Sequence, residues 1–130
     1  MENLQPNTIP TSIFSTGALY DLSLLEELDG DDYLLEMLQI LLTEVPKDIK
    51  EMKDAAMAGR ADVICTKAHK LKSSAAIIQA NKLALLLENI EAVGKKAPDG
   101  NELNQLVDTA VDLFSQIESG LKMDAAKLTH

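Results

Sequence analysis

The sequence predicts an all-α protein, an antiparallel four-helix bundle with a short extra helix at its N-terminus. Apolar residues make up 46% of the 130-residue chain, but aromatics only 3%, with no Trp. Leu and Ala dominate that apolar set, which favours helices packing on helices over sheets built from Val, Ile, Thr and aromatics. The apolar residues recur at spacings of three and four over four long stretches, and no stretch alternates as a strand would. Short turns separate the stretches, so sequential helices should be antiparallel neighbours. The length suits one domain and is too short for two ordinary ones.

Residues 1–17 are polar, carry Pro6 and Pro10 and show no helical period, so they read as a flexible leader. Ile9, Ile13 and Phe14 could tack it onto the domain, whose bundle is expected over residues 18–123. Ser23 followed by Glu26 makes a capping box for the short extra helix, which Gly30 closes after Leu28. Asp31 then opens a long helix with Leu34, Leu38, Leu41, Leu42, Val45, Ile49, Met52 and Ala56 on its inner face. Pro46 lies inside that pattern and, lacking an N–H, should kink the helix near Leu42. Gly59 ends it.

Asp62 is the expected cap of the next helix, with a stripe of Ile64, Ala68, Leu71, Ala75 and Ile78. Asn81 starts the following one, with Leu83, Leu86, Leu87, Ile90 and Val93, stopping near Gly94. Pro98-Asp99-Gly100 is a strong turn signal. The last helix runs from about Glu102 through Leu103, Leu106, Val107, Ala110, Leu113, Phe114, Ile117 and Leu121. Residues 124–130 remain as a tail.

Charge and composition exclude several function classes. Twelve basic residues stand against twenty-one acidic ones, a net charge of −9. That field repels nucleic-acid phosphates and anionic lipid, so neither is an expected partner. The single Cys65 cannot form an internal disulfide, which fits a reducing, cytoplasmic setting. Met1-Glu2-Asn3-Leu4-Gln5-Pro6 offers neither a basic start nor a long apolar run, so no secretory signal or membrane anchor is expected. A zinc site lacks ligands, with one Cys and two well-separated His. Glu-x-x-His pairs for a di-metal bundle and a Gly-rich phosphate loop are both absent, so no metal or bound cofactor is expected.

Of the two histidines, His130 is the last residue and is expected to be idle. His69 lies mid-helix. Advancing about 100° per residue, it points roughly 140° away from the centre of the Ile64–Ile78 stripe and should face solvent. Its helical neighbours are Cys65, Lys72, Ser73 and Ala76, small apart from the lysine, so a flat or convex partner can approach. An exposed imidazole is a competent nucleophile near neutral pH. From Val63 to Leu87 there is no Asp or Glu, whereas Lys67, Lys70, Lys72 and Lys82 all fall there. This reads as a basic island in an acidic protein, suited to a transient anion or an acidic partner. An ordinary solvated helix face is the plainer reading of the same lysines.

The run Ala68-His69-Lys70-Leu71-Lys72-Ser73-Ser74-Ala75 resembles the signature of histidine-containing phosphotransfer (HPt) domains, Ala-His-x-Leu-Lys-Gly-Ser-Ser on an exposed helix of a four-helix bundle. The resemblance spans roughly Leu19 to Lys122 and includes the Leu22–Leu28 opening, the acidic start of the long helix, Pro46, and Ala58-Gly59. It implies that His69 is the phospho-acceptor and that Lys72, one turn later, offsets phosphoryl charge. Ser73 stands where the family usually has Gly, and Gln79 where many members have a small residue or Gly.

By the same resemblance, the chain is a phosphorelay intermediate rather than a self-sufficient enzyme. It takes a phosphoryl group from a receiver-domain aspartate, in a hybrid sensor kinase or a response regulator, and donates it to another. Mg²⁺ and an acidic cluster belong to the receiver, and a monomer is implied. Partner contacts are expected at Cys65, Lys70, Ser73 and Ala76 around the histidine. Tyr33, Met37 and Ile40 form a three- to four-residue row on the long helix suited to docking a receiver. The alternative is a non-phosphorylated adaptor of the same fold that binds a receiver or another helical partner, but it has no use for His69 and Lys72 together on an exposed face. The phospho-accepting domain of a larger chemotaxis-type kinase would call for further domains.

Overall fold

The computed structural model describes residues 19–128, apart from the side chains of residues 28–31. The leader, with Ile9, Ile13 and Phe14, and the terminal His130 lie outside the described residues. Four helices follow one another: α1 (Ser23–Met57), α2 (Ala61–Ile77), α3 (Asn81–Lys96) and α4 (Asn101–Leu128). No strand occurs among the described residues. α1 packs on α2 and α4, and α3 packs on the same two, so the helices form a four-sided bundle without close diagonal pairs. Connections of three or four residues leave sequential helices no geometry but antiparallel.

The core is the set of apolar stripes read from the sequence. Leu38, Met52, Ala68, Leu87, Ile90, Val107, Ala110 and Ile117 are wholly buried, and Leu34, Leu71, Leu103, Phe114 and Leu121 nearly so. Leu42, Leu86, Val93, Leu106 and Leu113 sit at the stripe edges and are half-buried. Ala55 rather than Ala56 takes the innermost place near the end of α1.

The expected boundaries need correcting in five places. The short N-terminal helix is not separate, because Ser23–Leu28 continues through Gly30 into one 35-residue α1. A glycine costs an interior helical position only about 1 kcal/mol, which the apolar stripes on both sides outweigh. Ser23 does not cap it. Leu22 is the N-cap, and the Asp21 carboxylate instead accepts the Ser23 N–H at 2.8 Å, which holds that carboxyl below its usual range. Asp62 lies within the first turn of α2 beyond the N-cap Arg60, with which it pairs at 3.0 Å. α3 runs past Gly94 to Lys96. α4 runs past residue 123 to Leu128, where Asp124 accepts a hydrogen bond from the Tyr20 hydroxyl.

Pro46 lies inside α1 without ending it. Gly59 does end it, at φ +70°. Arg60 N–H bonds to the Ala55 carbonyl and Gly59 N–H to that of Ala56, the paired bonds of a Schellman turn. α2 ends the same way, with Ala80 N–H on Ala75 and Gln79 N–H on Ala76. There the left-handed residue is Gln79, at φ 51°. A side chain in that conformation costs about 1–2 kcal/mol. Offsetting it, Gln79 Nε2 donates to the Asp21 carbonyl at 3.1 Å and to Ser23 Oγ at 3.3 Å.

Gly94 serves close packing. A Cβ there would lie 2.5 Å from Cys65 Sγ, so α2 and α3 approach closely where they carry the candidate site. Gly94→Ala is expected to destabilise the fold by about 1–3 kcal/mol through overpacking. Cys65→Ala in the same chain should recover most of that loss, as measured by urea denaturation. An additive double variant would contradict the contact.

Candidate functional site

α2 presents His69 outward because its inner face is taken by Ile64, Ala68, Leu71 and Ala75, all buried. The imidazole is 74% exposed. Cβ positions on a helix limit which neighbours can reach it, and the one that does comes from α3. His69 Nδ1 lies 3.2 Å from Oε2 of Glu91, whose side chain is only 14% exposed. The other oxygen, Oε1, lies 2.6 Å from Nζ of Lys72. Oε1 is shielded from water and receives no aligned hydrogen bond, so the ammonium charge is what compensates its burial. The Lys72 ammonium beside it holds the Glu91 carboxyl below the usual range, against the opposing effect of burial. Reciprocally, Glu91 raises the pKa of Lys72.

This arrangement selects a tautomer. An ionised carboxylate can only accept, so the imidazole nitrogen facing it must carry the proton. Nδ1–H therefore donates to Glu91, which in the neutral form of the ring leaves the lone pair on Nε2. Two clefts among the described residues lie elsewhere. One of about 470 Å³ is lined by Leu85, Asn89 and Asp112 between α3 and α4, and one of about 420 Å³ by Tyr20, Leu34 and Lys127 at the bundle end. Neither is lined by His69, whose imidazole stands on an open face of α2.

A family model described as Hpt domain matches residues 36–121, two thirds of the chain. The chain belongs to the Hpt domain family. Comparison with curated proteins and with solved structures gave no match. Hpt domains are phosphocarriers in two-component relays and interact with receiver domains.

The matched range includes α2 with the run that resembles the Hpt signature, and the residues expected around His69 distribute as follows. Ser73 and Ala76 are exposed beside it. Cys65 is half-buried against α3, its thiol directed at the Glu91 carbonyl at 3.8 Å. Burial pushes that thiol's pKa up, so it is a packing group rather than a reactive one. Lys72 is 31% exposed and pairs with Glu91. Of the α1 row, Ile40 is 49% exposed, whereas Tyr33 and Met37 are half-buried against the core.

The basic island needs correction. Lys67 pairs with Glu51 at 2.7 Å and Asp48 at 3.3 Å. Lys70 pairs with Asp48 at 3.1 Å, and Lys72 with Glu91. The three lysines of that acid-free stretch that lie on α2 are therefore charge-balanced in space, because α1 and α3 supply the carboxylates.

Glu91 and Asp48 were absent from the site as read in sequence. Glu91 lies just beyond the acid-free run, and only the antiparallel register of α3 against α2 brings it to His69. Asp48 left a clearer signal. It interrupts the apolar stripe of α1 between Val45 and Ile49, where a charge must find a partner.

Among the described residues, no group of three or more potential ligands is placed to hold a metal ion. Nor is any helix long and apolar enough to cross a membrane.

Proposed function

We propose that this Hpt domain accepts a phosphoryl group on His69 from a receiver-domain phospho-aspartate and donates it to the aspartate of another receiver. The observation that carries this reading is the outward imidazole with Nδ1 held by Glu91. Nε2 attacks phosphorus in line, the bond from phosphorus to the aspartyl oxygen breaks, and its electron pair leaves on the carboxylate. No proton moves. The phospho-imidazole keeps Nδ1–H, and its positive charge faces Glu91. Lys72 lies one turn away to balance phosphoryl charge.

The chain contributes positioning and charge balance, and in this reading Mg²⁺ stays on the receiver. Lys70, Ser73, Ala76 and Cys65 border the contact, with Ile40 and the edges of Tyr33 and Met37 extending it along α1. The upstream partner is a hybrid sensor kinase, and the protein acts as a cytoplasmic monomer.

The test is label transfer from a phosphorylated receiver domain, comparing wild type with His69→Gln. Wild type should acquire acid-labile, alkali-stable label and the variant none. Label persisting in the variant would sink the assignment. Receiver binding without transfer in wild type would favour the adaptor reading.

A further inference from the structure

Asp48 is the one buried charged side chain among the described residues, 5% exposed. It lies on α1, yet its partners are on the phospho-acceptor helix. Oδ1 accepts from Lys67 and Lys70 at 3.3 Å each, and Oδ2 lies 3.1 Å from Lys70. Lys67 also holds Glu51 and is only 23% exposed. Lys70 follows His69 directly and is 61% exposed, the most accessible of the three lysines that pair around the site. A further carboxylate, Glu91, occupies Lys72 on the opposite flank. Every lysine beside the imidazole is thus matched by a carboxylate from a neighbouring helix.

We infer that Asp48 is a specificity-determining residue that acts through Lys70, setting how much positive charge the face around His69 presents to an anionic partner. The inference rests on the phosphotransfer reading, in which the partner carries a phospho-aspartate. That group is a dianion and must come to the imidazole. Lys70 is the cation it can recruit most easily, because Lys67 retains Glu51 and Lys72 is shared with Glu91. Asp48 competes for Lys70 from inside the bundle. With its charge present, an arriving anion must draw Lys70 away. Without that charge, Lys70 is free to meet it. Charges at the rim of an interface act on encounter and on salt dependence more than on the bound chemistry.

The experiment measures transfer from an isolated receiver domain, phosphorylated with acetyl phosphate, over a range of receiver concentrations at low and high salt. Asp48→Asn keeps the shape and removes the charge. It is expected to lower the half-saturating receiver concentration about two- to fivefold at low salt, with the gain shrinking at high salt. The rate at saturation should change less than this. Adding Lys70→Gln should abolish the gain. Lys70→Gln alone should raise the half-saturating concentration and flatten the salt dependence, and it decides the matter if the Asp48 variant does not fold.

Equal half-saturation and salt dependence in wild type and Asp48→Asn would overturn the inference, as would a gain that survives in the double variant. If wild type takes no label, the phosphotransfer reading fails instead. The same variants then test Asp48 by calorimetric binding of the unphosphorylated receiver, where an unchanged affinity overturns it.

Discussion

Glu91→Ala is expected to slow phosphoryl transfer through His69 about ten- to a hundredfold, matching the ~1.5–3 kcal/mol of a hydrogen bond to a charged group. Two effects combine. Without the carboxylate, the neutral imidazole divides between its two tautomers, and the one with its proton on Nε2 cannot attack. The positive charge of the phospho-imidazole also loses its counter-ion. Glu91→Gln should fall between wild type and Glu91→Ala, because its carbonyl can still accept from Nδ1–H but no longer balances charge. Nitrogen NMR of the imidazole checks the cause directly. Nδ1–H should dominate the neutral form in wild type and give way to a mixture in Glu91→Ala. An unchanged tautomer ratio would refute the assignment.

The same carboxylate makes a pH prediction. Its pKa is lowered in the folded protein by Lys72 and, secondarily, by His69. A group whose folded pKa is depressed contributes stability above its unfolded value and loses it as pH falls through the folded value. Wild type should therefore lose more stability than Glu91→Gln on acidification below roughly pH 5, toward and past the ordinary glutamate pKa of about 4.3. Denaturation midpoints of the two proteins across that range test the sign.

Leu71 and Lys72 are adjacent in sequence and should give opposite results. Leu71→Ala is expected to cost about 2–5 kcal/mol of stability, the range for truncating a buried leucine. Leu71 is 1% exposed and lies against a small internal void with Leu41, Val45, Leu83, Phe114 and Leu121. Truncation enlarges that void, and neighbours on three other helices cannot all collapse into it. Below its melting temperature the variant should still transfer label, because His69 and Glu91 are untouched.

Lys72→Ala removes a partly exposed side chain and should cost less stability. It leaves the shielded Oε1 of Glu91 without its cation, a smaller loss than an emptied core position because the site stays open to water. Transfer should slow about tenfold through lost charge balance at the phosphoryl group. Urea denaturation and single-turnover transfer on the two variants separate the effects. Similar stability losses in both would contradict the faces assigned to α2.

The stripe Ile64, Ala68, Leu71, Ala75 and Ile78 was legible because helical period is a local property, and burial follows from it directly. His69 facing outward was legible for the same reason. Helix ends were less so. The Ser23–Glu26 capping box and the Gly30 stop are weak local preferences, each worth about 1 kcal/mol. Continuous packing along α1 overrides them. Gly94 read as a stop because a glycine that ends a helix and one that admits a neighbouring helix look alike in sequence.

The sequence by itself determined the helical bundle, its inner faces and the outward histidine on α2. Each depends on residues three or four apart on one helix. Only the tertiary structure decided the electrostatics. Three of the four lysines that looked like a basic island, Lys67, Lys70 and Lys72, are matched by Asp48 and Glu51 from α1 and by Glu91 from α3. A charge pair across helices depends on axial register and rotation, which side-chain packing sets over the whole bundle and no local spacing encodes. The exposed histidine was therefore readable from one helix. The carboxylate that fixes its tautomer was not.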